Sequence, residues 1–207
     1  MSKPVYAASL AAAFALFALS AHAEPKTSTY TILKEGDPIG KETYVIDQDG
    51  DKTSLHLTAD SKVHIVFLNF TYHHERTENW TGTTLDKLVS TTDDDGTKHH
   101  VEYADGKLTA DGKSIALGAD AFPLSMWRKA VVDHTALFAV ENDDGVQKVA
   151  FKDVGPETLD IAGQKVACEH YAMTGDVDRD FWYDPDGMLA KVTFRRRGFG
   201  IAIVRDN

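Results

Sequence analysis

Apolar and polar positions alternate along short runs of this chain. "TYTILKEG", "KETYVID", "TSLHLTA", "KLVSTT" and "KVAFKDV" are examples, rich in Thr, Val, Tyr and Phe. A period of two with such residues predicts strands that bury one face. Six Asp-Gly pairs punctuate the runs: Asp49-Gly50, Asp95-Gly96, Asp105-Gly106, Asp111-Gly112, Asp144-Gly145 and Asp186-Gly187. Gly takes positive φ cheaply and Asp tolerates turn geometry, so each pair predicts a hairpin. Nothing alternates strands with helices in the way a parallel sheet requires. The pattern predicts a mainly β domain: a single antiparallel, strongly curved sheet, half-barrel or open barrel, with one short helix.

The helix is expected in "AFPLSMWRKAVVDHT", residues 121 to 135, where the β rhythm stops. Pro123 and Ser125 suit a helix start, and Met126, Lys129 and Ala130 follow at helical spacing, which places it near residues 124–132. Laid against the open mouth of a curved sheet, it would present Phe122, Met126 and Trp127 to whatever fills that mouth. "HIVFLNFTY", residues 64 to 72, is apolar on both faces, more than a sheet with one solvated face needs. That excess fits a helix cover, a cavity lining or an oligomer interface, so the oligomeric state stays open.

"DRDFWYDPDGMLAKVTF", residues 178 to 194, poses a choice between a site and a turn. Asp176, Asp178 and Asp180 alternate as at the start of a calcium-binding EF-hand loop. That loop needs Gly at its sixth position and Glu at its twelfth, where this chain has Phe181 and Gly187. A hairpin explains the stretch instead. "DPDG" forms a type I turn with Pro185 second and Gly187 last, and Met188, Ala190, Val192 and Phe194 share one face of the return strand.

The N-terminus changes the setting. One basic residue, Lys3, precedes the apolar run "AASLAAAFALFALSA", and small residues end at Ala23. This reads as a secretory signal peptide, residues 1–23, cleaved after Ala23, and not as a spanning helix, which wants about 20 apolar residues. The mature chain, residues 24–207, is then one β-rich domain in the periplasm, with no spanning membrane segment. Residues 1–23 carry no acidic group, so cleavage leaves 184 residues and moves the net charge from −10 to −11. An acidic domain disfavours nucleic acid and anionic membrane surfaces as partners, the run Arg195 to Arg197 being a local exception. The single cysteine, Cys168, excludes a disulfide framework and sits on an alternating strand as a buried inert thiol.

Candidate chemistry is sparse. His73-His74 and His99-His100 fall on strands two apart, with His74 roughly level with Thr91 and Lys98. Strands separated by one neighbour lie about 10 Å apart, so the imidazoles could share a metal only if the intervening threonine stood aside. Adjacent histidines also point to opposite faces, so at most one of each pair could contribute. They are read as surface histidines, with no metal and no cofactor. Nucleophile elbows, P-loops and dinucleotide fingerprints are missing. Glu78, Glu157 and Asp180 could meet as a carboxylate pair on one face, or Glu157 could be a structural partner to an arginine of the 195 to 197 run. Trp80, Trp127 and Trp182, each flanked by polar residues, are either core side chains with satisfied indoles or walls of a ligand pocket.

One long segment carries a resemblance. "DVGPETLDIAGQKVACEHYAMTGDVDRDFWYDPDGMLAKVTF" resembles the C-terminal signature of an uncharacterised family of exported bacterial proteins, a Gly-x-Glu strand followed by a Trp-Tyr-Asp-x-x-Gly-x-Leu hairpin. "ERTENWTGTTLDKLVSTTDDDGTKHHVE" resembles the Glu-x-Trp strand of the same family, and "FPLSMW" its Pro-x-Ser-x-Trp element. At the level of fold the family is similar to the periplasmic half-barrels that include the lipoprotein carriers LolA and LolB. This likeness implies a non-enzymatic protein that binds or carries a hydrophobic or amphiphilic, lipid-like small molecule in the concave face of its sheet. Trp80, Phe122, Met126, Trp127 and Trp182 are the ligand-binding candidates. An enzyme with a carboxylate or histidine site, or an envelope scaffold that binds another protein, are the alternatives.

Overall fold

The computed structural model describes residues 24–65 and 68–207. The proposed signal peptide and residues 66–67 lie outside the described residues. The strands are β1 Lys26–Lys34, β2 Asp37–Asp49, β3 Lys52–Ile65, β4 Leu68–Thr81, β5 Thr84–Asp94, β6 Thr97–Ala104, β7 Lys107–Ala110 and β8 Lys113–Ile115. They continue as β9 Ala121–Pro123, β10 Ala136–Phe138, β11 Val146–Ile161, β12 Gln164–Gly175, β13 Arg179–Tyr183, β14 Leu189–Arg196 and β15 Phe199–Arg205.

All of them join one sheet. Its order runs from β8 back to β1, then to β15 and back down to β9, so the first and last strands are neighbours in the middle. The two edges are β8 and β9, and the sheet is curved but not closed. Neighbours are antiparallel except β9 and β10, which pair in parallel. Turn chemistry explains this long meander. Asp95, Asp105 and Asp111 adopt φ of 58°, 51° and 50°, each followed by a glycine at positive φ. Two successive left-handed residues make the type I′ turn whose twist matches that of paired strands.

Alternation sorts the side chains. Tyr30 and Ile32, Tyr44 and Ile46, Leu55 and Leu57, Leu88, Val101 and Val192 face the concave side and form the main core. A β-bulge between Trp182 and Tyr183 interrupts the β13–β14 pairing. It corrects the one-face expectation for the return strand. Ala190 turns to the convex side, into a small second cluster with Ile161, Cys168 and Trp182, while Val192 stays in the main core.

The expected helix near residues 124–132 is the main departure. Only a 3-10 turn, Lys129–Asp133, forms there. Residues 124 to 128 stay out of a helix because their partners are tertiary. Leu124 N–H donates to the Phe138 carbonyl at 2.9 Å, Lys129 N–H to Gly187 at 2.8 Å, and Trp127 accepts from Leu189 N–H at 3.1 Å. A helix would withdraw these groups into its own ladder. The connector between β9 and β10 is therefore no lid. It fills much of the concave face itself, burying Leu124, Met126, Trp127 and Val131 in the main core.

Candidate functional site

On β4, residues His74, Arg76, Glu78 and Trp80 alternate onto the concave face, and all four are buried. Burying charges demands partners. Glu78, 0% exposed, meets this demand in full. Its carboxylate pairs with Arg76 Nε at 2.8 Å and accepts from Ser125 Oγ at 2.5 Å, Trp80 Nε1 at 2.8 Å and Trp127 Nε1 at 3.0 Å. Glu78 thus pins the connector to the sheet. Phe122 packs tilted against Trp80, with ring centroids 5.5 Å apart.

Three ligand-binding candidates, Trp80, Phe122 and Trp127, consequently sit together in the sealed core. Trp182 lies on the convex side, where its indole donates to Glu157 at 2.7 Å and stacks on His170 at 4.2 Å. Of the five, Met126 lines the large apolar cavity, and Trp80 borders a separate polar cleft with Lys52, Asn79 and Asp86. Glu157 pairs with Trp182 and His170, not with an arginine of the 195 to 197 run. Glu78 is concave while Glu157 and Asp180 flank His170 on the other side, so the three carboxylates do not converge.

The cavity lies above the connector, toward the turns that join β1 to β2 and β14 to β15. Its volume is about 350 Å³, and Ile32, Val63, Phe70, Phe194, Ile201 and Ile203 supply apolar walls. Strand register orders its depth. Lys34, Asp94 and Arg196 end their strands and stand at the rim with Arg197, where both arginines bond Asp94 at 2.9 and 3.2 Å. Further along the strands, Glu42 and His74 both align with Ala59 of β3, and they reach the floor with Met126 and Glu141 of the connector region.

The floor is polar and its charges are unequal in their support. His74 Nε2 lies 3.3 Å from Arg76 Nη1, which can only donate, so Nδ1 carries the proton and donates to Thr92 Oγ1 at 2.8 Å. Burial and then the Arg76 charge lower its pKa to about 4, so it is neutral. Glu141 pays the same burial penalty, yet His74, Arg179, Arg196 and Arg76 hold its carboxyl down to about 2. Glu42, 5% exposed, goes the other way. Burial raises it to about 7 against the pull of Arg76 and of a side-chain hydrogen bond with Tyr44, two residues on along the same strand face.

The histidine pairs separate by face as expected, but one residue out of the anticipated register. A bulge between Asn79 and Trp80 shifts β5, so His74 aligns with Thr92 and Thr92 with His99. Thr92 fills the gap by bonding His74. His73 pairs with Asp60 at 2.8 Å, and His99 comes within 4.8 Å of Asp111 and Asp143 at the open edge. Cys168 is buried and its thiol pKa is raised, chiefly by burial.

Sequence reasoning missed Glu42, Arg76, Glu141 and Arg179. A signal for the first existed: Glu42 shares the alternation phase of Tyr44 and Ile46, so a charge stands where an apolar residue is due.

The chain belongs to the family DUF6134, a domain of unknown function, which matches residues 30–206. None of the curated proteins matches it. A crystal structure of a beta-barrel-like protein of domain of unknown function DUF1849 from Brucella abortus is similar in fold, with a TM-score of 0.61 and 13% identity. The match covers 89% of this chain and 96% of that one. No helix among the described residues is long and apolar enough to cross a membrane.

Proposed function

We propose that this chain is an exported binding or carrier protein for a hydrophobic or amphiphilic small molecule, held in the funnel on its concave face. The observation that carries the reading is the cavity, about 350 Å³ with walls of Ile, Val and Phe between a polar floor and a charged rim. Small-molecule sites have this composition, and their volumes begin at about 300 Å³. The leader-like residues 1–23 support a periplasmic location, and a LolA- or LolB-like carrier role fits a curved open sheet. Trp80, Phe122 and Trp127 act in this reading as the core beneath the site, and Met126 as part of its floor.

A second reading has its own observation. Glu42, His74 and Glu141 converge on the floor, as an acid–base enzyme would need. His74 argues against it, because both ring nitrogens are already engaged by Thr92 and Arg76.

The test is native mass spectrometry of protein from residue 24 onward, exported, purified without detergent, and then extracted with organic solvent. A stoichiometric adduct of lipid mass supports the carrier. An unliganded mass, together with no uptake of an added apolar fluorescent probe, refutes it.

A further inference from the structure

Each cation at the cavity mouth stands on an aromatic ring of the cavity wall. Lys34 Nζ lies 4.8 Å from the centroid of the Phe199 ring, the Arg196 guanidinium 4.6 Å from that of Tyr72 and the Arg197 guanidinium 4.8 Å from that of Phe70. A ring beneath a long flexible cation holds the charge at the mouth. The outer side stays open: the Arg196 and Arg197 side chains are 36% and 43% exposed. Among the residues that line the cavity, the rim sets these three positive charges against one carboxylate, Asp94, which both arginines share. In a strongly acidic chain this is a local reversal of sign. The floor differs in kind, because its charges are answered from within the chain. Tyr44 hydrogen-bonds Glu42, Thr92 and Arg76 engage His74, and Tyr72 hydrogen-bonds Glu141, which Arg179 and Arg196 also support.

Resting on the carrier reading, we propose that the ligand is a single-chain amphiphile with an anionic head, a carboxylate or a phosphate, and that it enters tail first. The head stays at the mouth between Lys34, Arg196 and Arg197. Its hydrocarbon chain runs down between Ile32, Val63, Phe194 and Ile203 until the methyl end meets Met126. Because the charged floor groups already bond within the chain, a methyl group rests on them without leaving a donor or acceptor unmade. The reverse pose is opposed at the same place, where an anionic head would face the carboxyls of Glu42 and Glu141. A cationic head would have to pass three cations to reach them. The cavity, about 350 Å³, stands at the low end of the about 300–1,000 Å³ of small-molecule sites, which suits one chain and not two.

The experiment is calorimetric titration of the mature protein at neutral pH with four probes of equal tail: dodecanoate, dodecyl phosphate, dodecanol and dodecyltrimethylammonium. Partly exposed charges attract weakly one by one, so at low salt the anions are expected to bind about tenfold more tightly than dodecanol, and the cation more weakly than dodecanol. The tighter of the two anions assigns the head as carboxylate or phosphate. The preference should shrink severalfold between about 0.01 M and 1 M salt, as the screening length falls from about 30 Å to about 3 Å. The double variant Lys34→Gln, Arg197→Gln should bring the anions within about twofold of dodecanol. Arg196 is left in place because it also faces Glu141 at 3.7 Å. The readout is a ratio of two probes on one protein, so a loss of stability in the variant does not mimic the result. Dodecanol or the cation binding as tightly as the anions keeps the carrier reading and overturns the anionic head. An anion preference that survives the double variant overturns its place at the rim. Binding of none of the probes removes both readings.

Discussion

Two buried groups on the cavity floor have opposite proton linkages, and their cancellation can be measured. Glu42 rises from 4.5 to about 7 in the folded protein, driven by burial. The folded state therefore holds a proton that the unfolded chain has released, and the contribution is full below about 4.5 and lost as pH rises through 7. His74 falls from 6.5 to about 4, again chiefly through burial. The unfolded chain takes up that proton first, so stability is lost as pH falls from 6.5 through 4. Between 4.5 and 6.5 one group adds a folded-state proton and the other withholds one, so the two slopes cancel. Each two-unit arm is worth about 2.7 kcal/mol at about 1.36 kcal/mol per unit. Removing one group uncovers the other. In Glu42→Gln, the stability relative to wild type should fall by about 2–3 kcal/mol on going from pH 6.5 to 4.5. In His74→Gln it should fall by a similar amount on going from 4.5 to 6.5. Urea unfolding across that window, read as variant minus wild type, removes the background of surface carboxylates. Two flat difference curves, or two of the same sign, would refute the burial assignments. Glu141 does not intrude, because its depressed carboxyl, held at about 2, titrates in the folded state below the window.

Other outcomes follow from the same contacts. Glu78→Ala leaves the buried Arg76 charge without its counter-ion and the Ser125 hydroxyl and two indoles without their acceptor; it should cost about 3–5 kcal/mol in denaturant unfolding, and a loss under 1 kcal/mol would contradict its pinning role. Trp127→Ala should cost about 3–5 kcal/mol, a core effect, and a stable variant that merely drops its ligand would instead put Trp127 in the binding site. Trp182→Ala, on the convex side, should leave probe binding unchanged within about twofold while lowering stability, and a weakened probe affinity would sink the assignment of the site to the concave face. Cys168, buried with a raised thiol pKa, should react with a thiol reagent only on unfolding, so rapid labelling of the native protein would show the convex cluster to be open.

Much of the architecture was legible because it depends on local rules. Asp-Gly turns and period-two alternation require no knowledge of distant partners, and they yield a curved antiparallel meander without further input. The 121–135 segment defeated the same approach for a reason visible in its contacts. Its helical spacing is real, but Leu124, Trp127 and Lys129 find backbone partners on other strands, and Ser125 finds Glu78. Tertiary hydrogen bonds outbid a weak local preference. The tryptophans stood between core and pocket wall, and the signal that separates the two lay beside Trp80: Glu78, two residues before it, is on the same face and is its hydrogen-bond acceptor. A polar neighbour at i−2 on a strand is evidence of a shared burial, whereas one at i−1 concerns the opposite face.

The same distinction accounts for the division of the interior. Where the connector covers the concave face, each buried charge on β4 is answered by a connector or neighbouring group, and the space closes. Beyond Met126 of the connector and Glu141 of the segment between β10 and β11, the space opens and its walls turn apolar up to the charged rim. Glu42 stands on that boundary. Had it belonged to the sealed half, a serine or indole from the connector would meet it as Ser125 and Trp127 meet Glu78. Had it belonged to the apolar half, alternation would favour an aliphatic residue in phase with Tyr44 and Ile46. Its hydrogen bond comes instead from Tyr44, two residues along on the same face of β2, so the charge is answered from within its own strand.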